Sequence, residues 1–255
     1  MQHAPSPPPV VERWLTALEA RHLAELTFPE VRRALQALSA LYVGGRGKLP
    51  VGTALEGRGK RAAFAMFYGP LHFLTVADIV RELGWADPGA PRRIVDLGCG
   101  TGVAGAGWAL ACGAEVAGID RSGWAVEEAA WTWRTLGVQG TARRGALSGV
   151  QPRNGDGLLY GWSLNETSDA AREALLPKLL AAGAAGIAVL IVEPIARGPV
   201  PWWPRWAEAF RAAGGRSDEW RFRGELPELV RRLDRAAGLD HRERTARTLA
   251  LWSTG

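Results

Sequence analysis

Residues 94–105, IVDLGCGTGVAG, put the acid Asp96 near the end of a short apolar run and follow it with Gly98, Gly100, Gly102 and Gly105. Two patterns overlap in this turn. Gly100, Gly102 and Gly105 satisfy the G-x-G-x-x-G spacing of a dinucleotide site, whereas Asp96, Gly98, Gly100 and Gly102 satisfy D-x-G-x-G-x-G. A dinucleotide site sets its first glycine directly after the strand and rests a pyrophosphate on the following helix N-terminus. With Gly100 in that role the strand would have to run on through Asp96, Gly98 and Cys99. The Asp96 carboxylate would then face the pyrophosphate and repel it. The ligand this register accepts is cationic near its centre, carries no phosphate, and is approached closely by backbone.

S-adenosyl-L-methionine has those properties: a sulfonium, an α-ammonium, and adenosine and methionine portions. A second apolar run, AEVAGID, ends in Asp120, placed to receive the two hydroxyls of a ribose across the switch point of an open sheet. Capping of the following turn and helix is the purely structural role open to both acids. Trp124, just beyond Asp120, is a candidate to stack on the adenine and equally a packing residue of the helix it opens.

A sheet must carry these groups, and the patterns supply one. RRIVDLG, AEVAGID, GTARRG, GLLYGWSLNE and GIAVLIVEPI read as strands, with helical GVAGAGWALACG, GWAVEEAAWTWRTLG and DAAREALLPKLLAAG between them. A helix at Arg205–Ala213, a strand near Trp220–Phe222, a helix over Leu226–Ala236 and a strand at Thr245–Trp252 complete the chain. The alternation predicts an α/β fold: a doubly wound, mostly parallel, seven-stranded sheet. Before it, Val10–Tyr42 is amphipathic helix broken near Pro29, and a second helical stretch covers residues 61–84. Between the two lies VGGRGKLPVGTALEGRGKR, with Arg46, Lys48, Arg58, Lys60 and Arg61 against the single acid Glu56. The expected organisation is a flexible tail at 1–9, a helical extension or lid at 10–88 with a basic glycine-rich loop at 44–61, and a cofactor domain at 89–255.

VDLGCGTG followed by GIDRS resembles motif I and the next acidic motif of the class I S-adenosylmethionine-dependent methyltransferases, over roughly residues 92–255. The resemblance implies the Rossmann-like methyltransferase type of sheet. It implies that Asp96, Gly98, Gly100 and Gly102 surround the methionine end of the cofactor and that Asp120 holds the ribose. The family commonly shows an acid after the third strand, where this chain has RRGAL, so adenine recognition would fall to backbone groups and Trp124. A narrower similarity, carried by VRRALQALSALYVGGRG, RAAFAMFYGPLHFLTVADIVREL, WSLNE and LIVEPIARG, is to a methyltransferase-like family associated with assembly of the small ribosomal subunit. It spans most of residues 30–200 and implies RNA or that subunit as partner. Members with an iron–sulfur cluster need several cysteines, and Cys99 and Cys112 are the only two here.

Methyl transfer from a sulfonium is an in-line displacement, so positioning and exclusion of water dominate. The acceptor side lies past the ends of the fourth and fifth strands, which makes Trp162, Asn165, Glu166, Glu193 and Pro194 the candidates. Asn165 is suited to a base edge or hydroxyl, and Glu166 or Glu193 to taking a proton; capping of the next turn is the alternative for each. His72, in YGPLHF, stands in the lid as a further catalytic candidate or a structural histidine. Trp202 and Trp203, in GPVPWWPRW, either stack a planar acceptor or cover the next helix. No D/N-P-P-aromatic motif follows the fourth strand, and neither cysteine lies near the fourth or fifth strand end, which argues against covalent attack on a pyrimidine.

The net charge of +5 suits phosphate contacts by Arg46 and Lys48, yet lysine occurs only at Lys48, Lys60 and Lys178, so a GC-rich host explains the arginine excess equally well. The two cysteines suit neither a disulfide framework nor a metal site, no signal peptide opens the chain, and no apolar run is expected to reach membrane-spanning length. A cytoplasmic protein without metal is expected. Three readings stay open: methylation of RNA or the small ribosomal subunit, methylation of a small molecule under the helical lid, and a cofactor-binding assembly factor without turnover.

Overall fold

Strand β5 (Ala188–Glu193) is buried along its whole length, as the run AVLIVE requires when helices cover both faces of a sheet. The computed structural model describes residues 8–43, 55–87, 91–147, 152–196, 198 and 200–252. Around β5 stand β1 (Arg93–Leu97), β2 (Glu115–Asp120), β3 (Gly140–Arg144), β4 (Asp156–Gly161), β6 (Arg216–Phe222) and β7 (Arg244–Leu251), in the order β3-β2-β1-β4-β5-β7-β6. Strands β1 to β5 are parallel, and β7 runs antiparallel to both β5 and β6. The α/β, mostly parallel, seven-stranded expectation therefore holds. The order reverses between β1 and β4, which opens a crevice at their C-terminal ends.

Alternation along the strands divides two cores. Ile94, Val116, Leu159, Leu190 and Val192 meet α4 (Gly69–Glu82), α5 (Val103–Cys112), α6 (Gly123–Leu136) and α9 (Glu228–Ala237). Val95, Leu97, Leu158, Tyr160 and Val189 meet α7 (Asp169–Ala184) and α8 (Trp203–Ala212). The fourth strand ends at Gly161 rather than continuing through WSLNE, because Trp162 takes φ +54° and turns the chain out of the sheet.

Helices α1 (Pro9–Leu23), α2 (Phe28–Val43) and α3 (Arg58–Ala63) precede a π-helical turn, Phe64–Tyr68, that runs into α4. The break between α1 and α2 falls before Pro29, which occupies the first turn of α2, where its missing N–H is no loss. Glu30 Oε2 closes that end by accepting the Thr27 N–H at 2.8 Å and the Thr27 hydroxyl at 2.7 Å. From Arg58 to Glu82 the helix is 25 residues long and holds an 18-residue window of mean hydropathy 1.4, long and apolar enough to cross a membrane, contrary to the sequence expectation. Its composition answers to packing, since 78% of that window is buried in the protein. Gly107 of α5 lets it approach: a Cβ there would lie 2.7 Å from the Phe73 carbonyl oxygen.

Buried ion pairs tie the helices down. Asp78 of α4 accepts from Arg244 of β7 at 2.6 Å and from Arg81 at 2.6 Å. Glu128 of α6, with a side chain 1% exposed, accepts from Arg21 at 3.2 Å and lies 3.0 Å from His22 Nε2, both on α1. Burial pushes the Glu128 carboxyl up, but the His22 hydrogen bond and charge and the Arg21 guanidinium together hold it below its ordinary value. This carboxylate's stabilisation is therefore complete above the ordinary value of 4.5 and is lost as pH falls through the lowered one. Glu128→Gln is expected to cost about 2 kcal/mol at neutral pH and to flatten the acid limb of stability, both read by urea unfolding across a pH series.

Candidate functional site

The crevice between β1 and β4 is floored by the glycine turn. Gly98 follows β1 at φ +78°, where a Cβ would stand 2.6 Å from Ser163 Cβ, and its N–H donates to the Ile119 carbonyl at 2.8 Å. Asp96, 1% exposed, sits beneath α5, and its Oδ2 accepts the Gly105 N–H at 3.0 Å. A Cβ on Gly105 would lie 2.7 Å from that oxygen, so the third glycine of the apparent dinucleotide pattern makes room for an acid. Asp96 Oδ1 is buried with no hydrogen-bond partner, as is Thr101 Oγ1 in the same turn. Burial pushes the Asp96 carboxyl up to about 7, the Gly105 N–H opposes that, and the Asp120 charge adds to it.

Asp120, at the end of β2, accepts the Gly100 N–H at 2.9 Å with Oδ2 and the Ser122 N–H at 2.8 Å with Oδ1. Ser122 in turn caps α6, its hydroxyl accepting the Ala125 N–H. The capping role is thus realised, and each carboxylate oxygen keeps a lone pair for a further donor. At Gly100, φ is +51° and no atom lies within 4 Å of a built Cβ, so the turn leaves open space beside Asp120. Trp124, half-buried, lies under the Arg61 guanidinium, 5.4 Å from its carbon.

On the acceptor side, the Trp162 N–H donates to the Val192 carbonyl at 2.8 Å, which holds the residue in its left-handed conformation. His72 of α4 stacks on the Trp162 indole, with centroids 3.7 Å apart and planes 9° from parallel, and Phe64 meets His72 edge-on at 6.0 Å. A strained non-glycine residue and a π-helical turn thus meet at one end of the sheet, and both features concentrate at functional sites. Gly69, where α4 begins, would bring a Cβ within 3.7 Å of Val103 and 3.9 Å of Thr101, so α4 starts directly on the glycine turn.

Glu193 is fully buried, and its Oε1 accepts the Leu164 and Asn165 N–H groups at 3.0 and 3.1 Å. It anchors the 3-10 turn Leu164–Glu166, so the turn-capping role open to it from the sequence is present. Both polar atoms of the Asn165 amide are buried without a hydrogen-bond partner, while Glu166 on the same turn is exposed. Trp203, 6% exposed, lies in the second core beneath the Arg247 guanidinium, so it is a packing residue rather than a substrate platform. Trp202 is half-buried, with the Arg172 guanidinium 5.6 Å from its ring. Arg46 and Lys48 lie outside the described residues.

The structure therefore brings Asp96, Gly98, Gly100, Gly102 and Asp120 to one side of the crevice and His72, Trp162 and Asn165 to the other. Thr101, Ser163 and Phe64 were missed in the sequence. The spacing Phe64, Tyr68, His72 places one aromatic stripe on a helix and was the available signal. Cys99 is 5% exposed, and burial first, then the Asp96 and Asp120 charges, push its thiol well up, so it is no nucleophile. Gly98→Ala is expected to destabilise by about 3 kcal/mol through strain and the Ser163 contact, and Gly100→Ala by about 1 kcal/mol through strain alone, both measured by thermal and urea unfolding.

No family model and no curated protein matches the sequence. Among solved structures, a candidate O-methyltransferase of Nostoc punctiforme PCC 73102 is similar with a TM-score of 0.52 at 17% identity, covering 96% of this chain and 72% of that one. A TehB-like SAM-dependent methyltransferase of Corynebacterium glutamicum ATCC 13032 gives a TM-score of 0.45 at 19% identity, covering 70% of this chain and 87% of that one. The tRNA (uracil-54, C5)-methyltransferase of Pyrococcus abyssi gives 0.43 at 15%, covering 71% of this chain and 38% of that one. At such identities the likeness concerns the fold, and the fold it shows is the Rossmann-like α/β sheet already traced from β1 to β7.

Proposed function

We propose that this chain is an S-adenosyl-L-methionine-dependent methyltransferase whose acceptor is RNA or the small ribosomal subunit. The observation that carries the cofactor is the unpartnered oxygen of Asp96, buried at the end of the central strand beside a glycine turn that leaves open space at Gly100. An unpaired buried carboxylate is costly unless a cation or donor joins it. The α-ammonium of the cofactor is such a group, and the ribose hydroxyls suit the lone pairs left on Asp120. The fit extends to Thr101, whose buried hydroxyl also lacks a partner.

When bound, the cofactor supplies an electrophilic methyl group on a sulfonium. The chain's own residues then have positional work. Asp96 and Asp120 fix the two ends of the ligand, and α4, seated on the glycine turn, excludes water. Trp162, Asn165 and His72 form the acceptor wall, where the Asn165 amide offers one donor and one acceptor to a ring edge. Glu193 positions Asn165 by holding its backbone N–H. The RNA acceptor is supported by the narrower sequence similarity and by basic charge near the crevice. The enclosed His72–Trp162 pair favours the second reading, a small planar metabolite.

Two measurements test this. Tritiated S-adenosylmethionine is incubated with the purified chain and host extract, then separated into RNA, small-subunit, protein and metabolite fractions. RNase-sensitive label is expected; label confined to the metabolite fraction overturns the RNA acceptor and supports the second reading. Absence of label alongside binding of S-adenosylhomocysteine leaves a binding factor without turnover. The pH dependence tests Asp96. Since its folded value of about 7 exceeds the ordinary 3.8, the ligand-free fold keeps a proton that the unfolded chain releases, and stability falls as pH rises through that window. Asp96→Asn is expected to raise Tm more at about pH 8 than at about pH 5. Affinity for S-adenosylhomocysteine, followed by calorimetry, should fall as pH drops through about 7 in the wild type. In Asp96→Asn it should be weak and flat.

A further inference from the structure

Many arginines of this chain are spent on carboxylates: Arg93, Arg216, Arg242 and Arg244 each close on one. Four others, Arg61, Arg121, Arg143 and Arg144, close no ion pair with a carboxylate among the described residues; the last three lie at the C-terminal ends of β2 and β3, and Arg61 reaches Trp124 from α3. Their proximity is fixed by backbone. Arg144 stands opposite Asp120 in the β2–β3 register, the Gly145 N–H donates to the Asp120 carbonyl at 3.0 Å, and Arg144 Nε donates to the Arg121 carbonyl at 3.0 Å. Arg61 covers the indole of Trp124, which opens the helix after Arg121. Arg121, Arg143 and Arg144 are all exposed.

We propose that this strip is a docking surface for the sugar–phosphate backbone of single-stranded RNA. β3 is the edge of the sheet, and consecutive side chains leave a strand on opposite faces, so Arg143 and Arg144 straddle that edge. Planar guanidinium forks match phosphate oxygens, and Arg61, held over the half-buried Trp124 ring, adds a further guanidinium to the strip. The strip borders Asp120 and lies three strand spacings from β4, about 14 Å from the acceptor wall, a distance that a few nucleotides span. The inference rests on the methyltransferase reading only in making this strand the acceptor. Charge on an edge strand also discourages pairing with other sheets, but for that purpose any polar or charged side chain serves. Three exposed arginines that close no ion pair among the described residues, set side by side at one sheet edge, suit an anion.

The test uses the full chain and a fluorescein-labelled oligouridylate, with anisotropy measured over a series of salt concentrations. The slope of log affinity against log salt is about −0.7 per phosphate contact for a single strand. The triple variant Arg121→Gln, Arg143→Gln, Arg144→Gln is expected to lose about 2 from that slope and to bind at least ~10-fold more weakly at low salt. S-adenosylhomocysteine affinity, measured by calorimetry on the same samples, should be unchanged, which shows that the variant is folded. If the triple variant is unstable, Arg143→Gln and Arg144→Gln singly should each lose about 0.7. An unaltered slope overturns the proposal, as does loss of binding to phosphatidylserine vesicles with RNA binding intact. RNA bound through the strip by a protein that binds no S-adenosylhomocysteine supports the surface and refutes the cofactor reading separately.

Discussion

The Asp96 carboxylate, buried at the end of the central strand, is the constraint around which the crevice is built. An acid in that position is costly, and only one N–H, from Gly105, meets it from within the protein. The neighbouring sequence follows from accommodating it. Gly105 has no side chain because α5 must pass over the carboxylate, and Gly98 has none because the chain must turn beside Ser163. Trp133 of α6 then locks the turn by donating its indole N–H to the Gly102 carbonyl at 2.7 Å. Asp120 completes the frame by holding the Gly100 N–H from the next strand.

The helices before the sheet are part of the same physical system. The Arg58–Glu82 helix is as apolar as a membrane span, its α4 part packs against α5 and β7, and its buried acid Asp78 is matched by Arg244 of β7. α1 is held to α6 by Glu128, a buried carboxylate kept ionised by partners from another element. Between these fixed points lies the π-helical turn, which shifts the register of the helix and leads to His72 against Trp162. A strained tryptophan is retained there by one hydrogen bond to β5 and by the stacked ring above it.

Charge is distributed unevenly over this frame. Some of the carboxylates that face arginines do so in short local pairs, such as Arg216 with Asp218 and Arg242 with Asp240, while others, such as Asp156 with Arg93 and Asp78 with Arg244, join distant elements. At the β3 edge, by contrast, Arg143 and Arg144 close no ion pair among the described residues, although Asp120 stands opposite Arg144 in the register. Arginine abundance from base composition does not by itself decide where pairing occurs.

Much of this fold was legible in the sequence because its signals are local. The apolar run of β5 follows Gly186 and is closed by Pro194, and its shortness and β-branched content favour a buried strand. The D-x-G-x-G-x-G register marked Asp96, and the end of the run AEVAGID marked Asp120, as the acids at two strand ends, since strand, turn and helix are contiguous there. Tertiary structure decided what depends on distant partners. Glu193 reads as a proton acceptor or a turn cap until its oxygen is found anchoring the Leu164–Asn165 N–H groups, and Trp203 as a platform or a cover until the second core encloses it. The end of β4 at Gly161 is set by Trp162, whose backbone conformation is imposed by β5 and not by its own propensity. Sequence alone determined the periodicities and the order of acids and glycines, because those are properties of neighbours along the chain. Only folding determined which polar atoms are left unpaired at the crevice, because pairing is a property of neighbours in space.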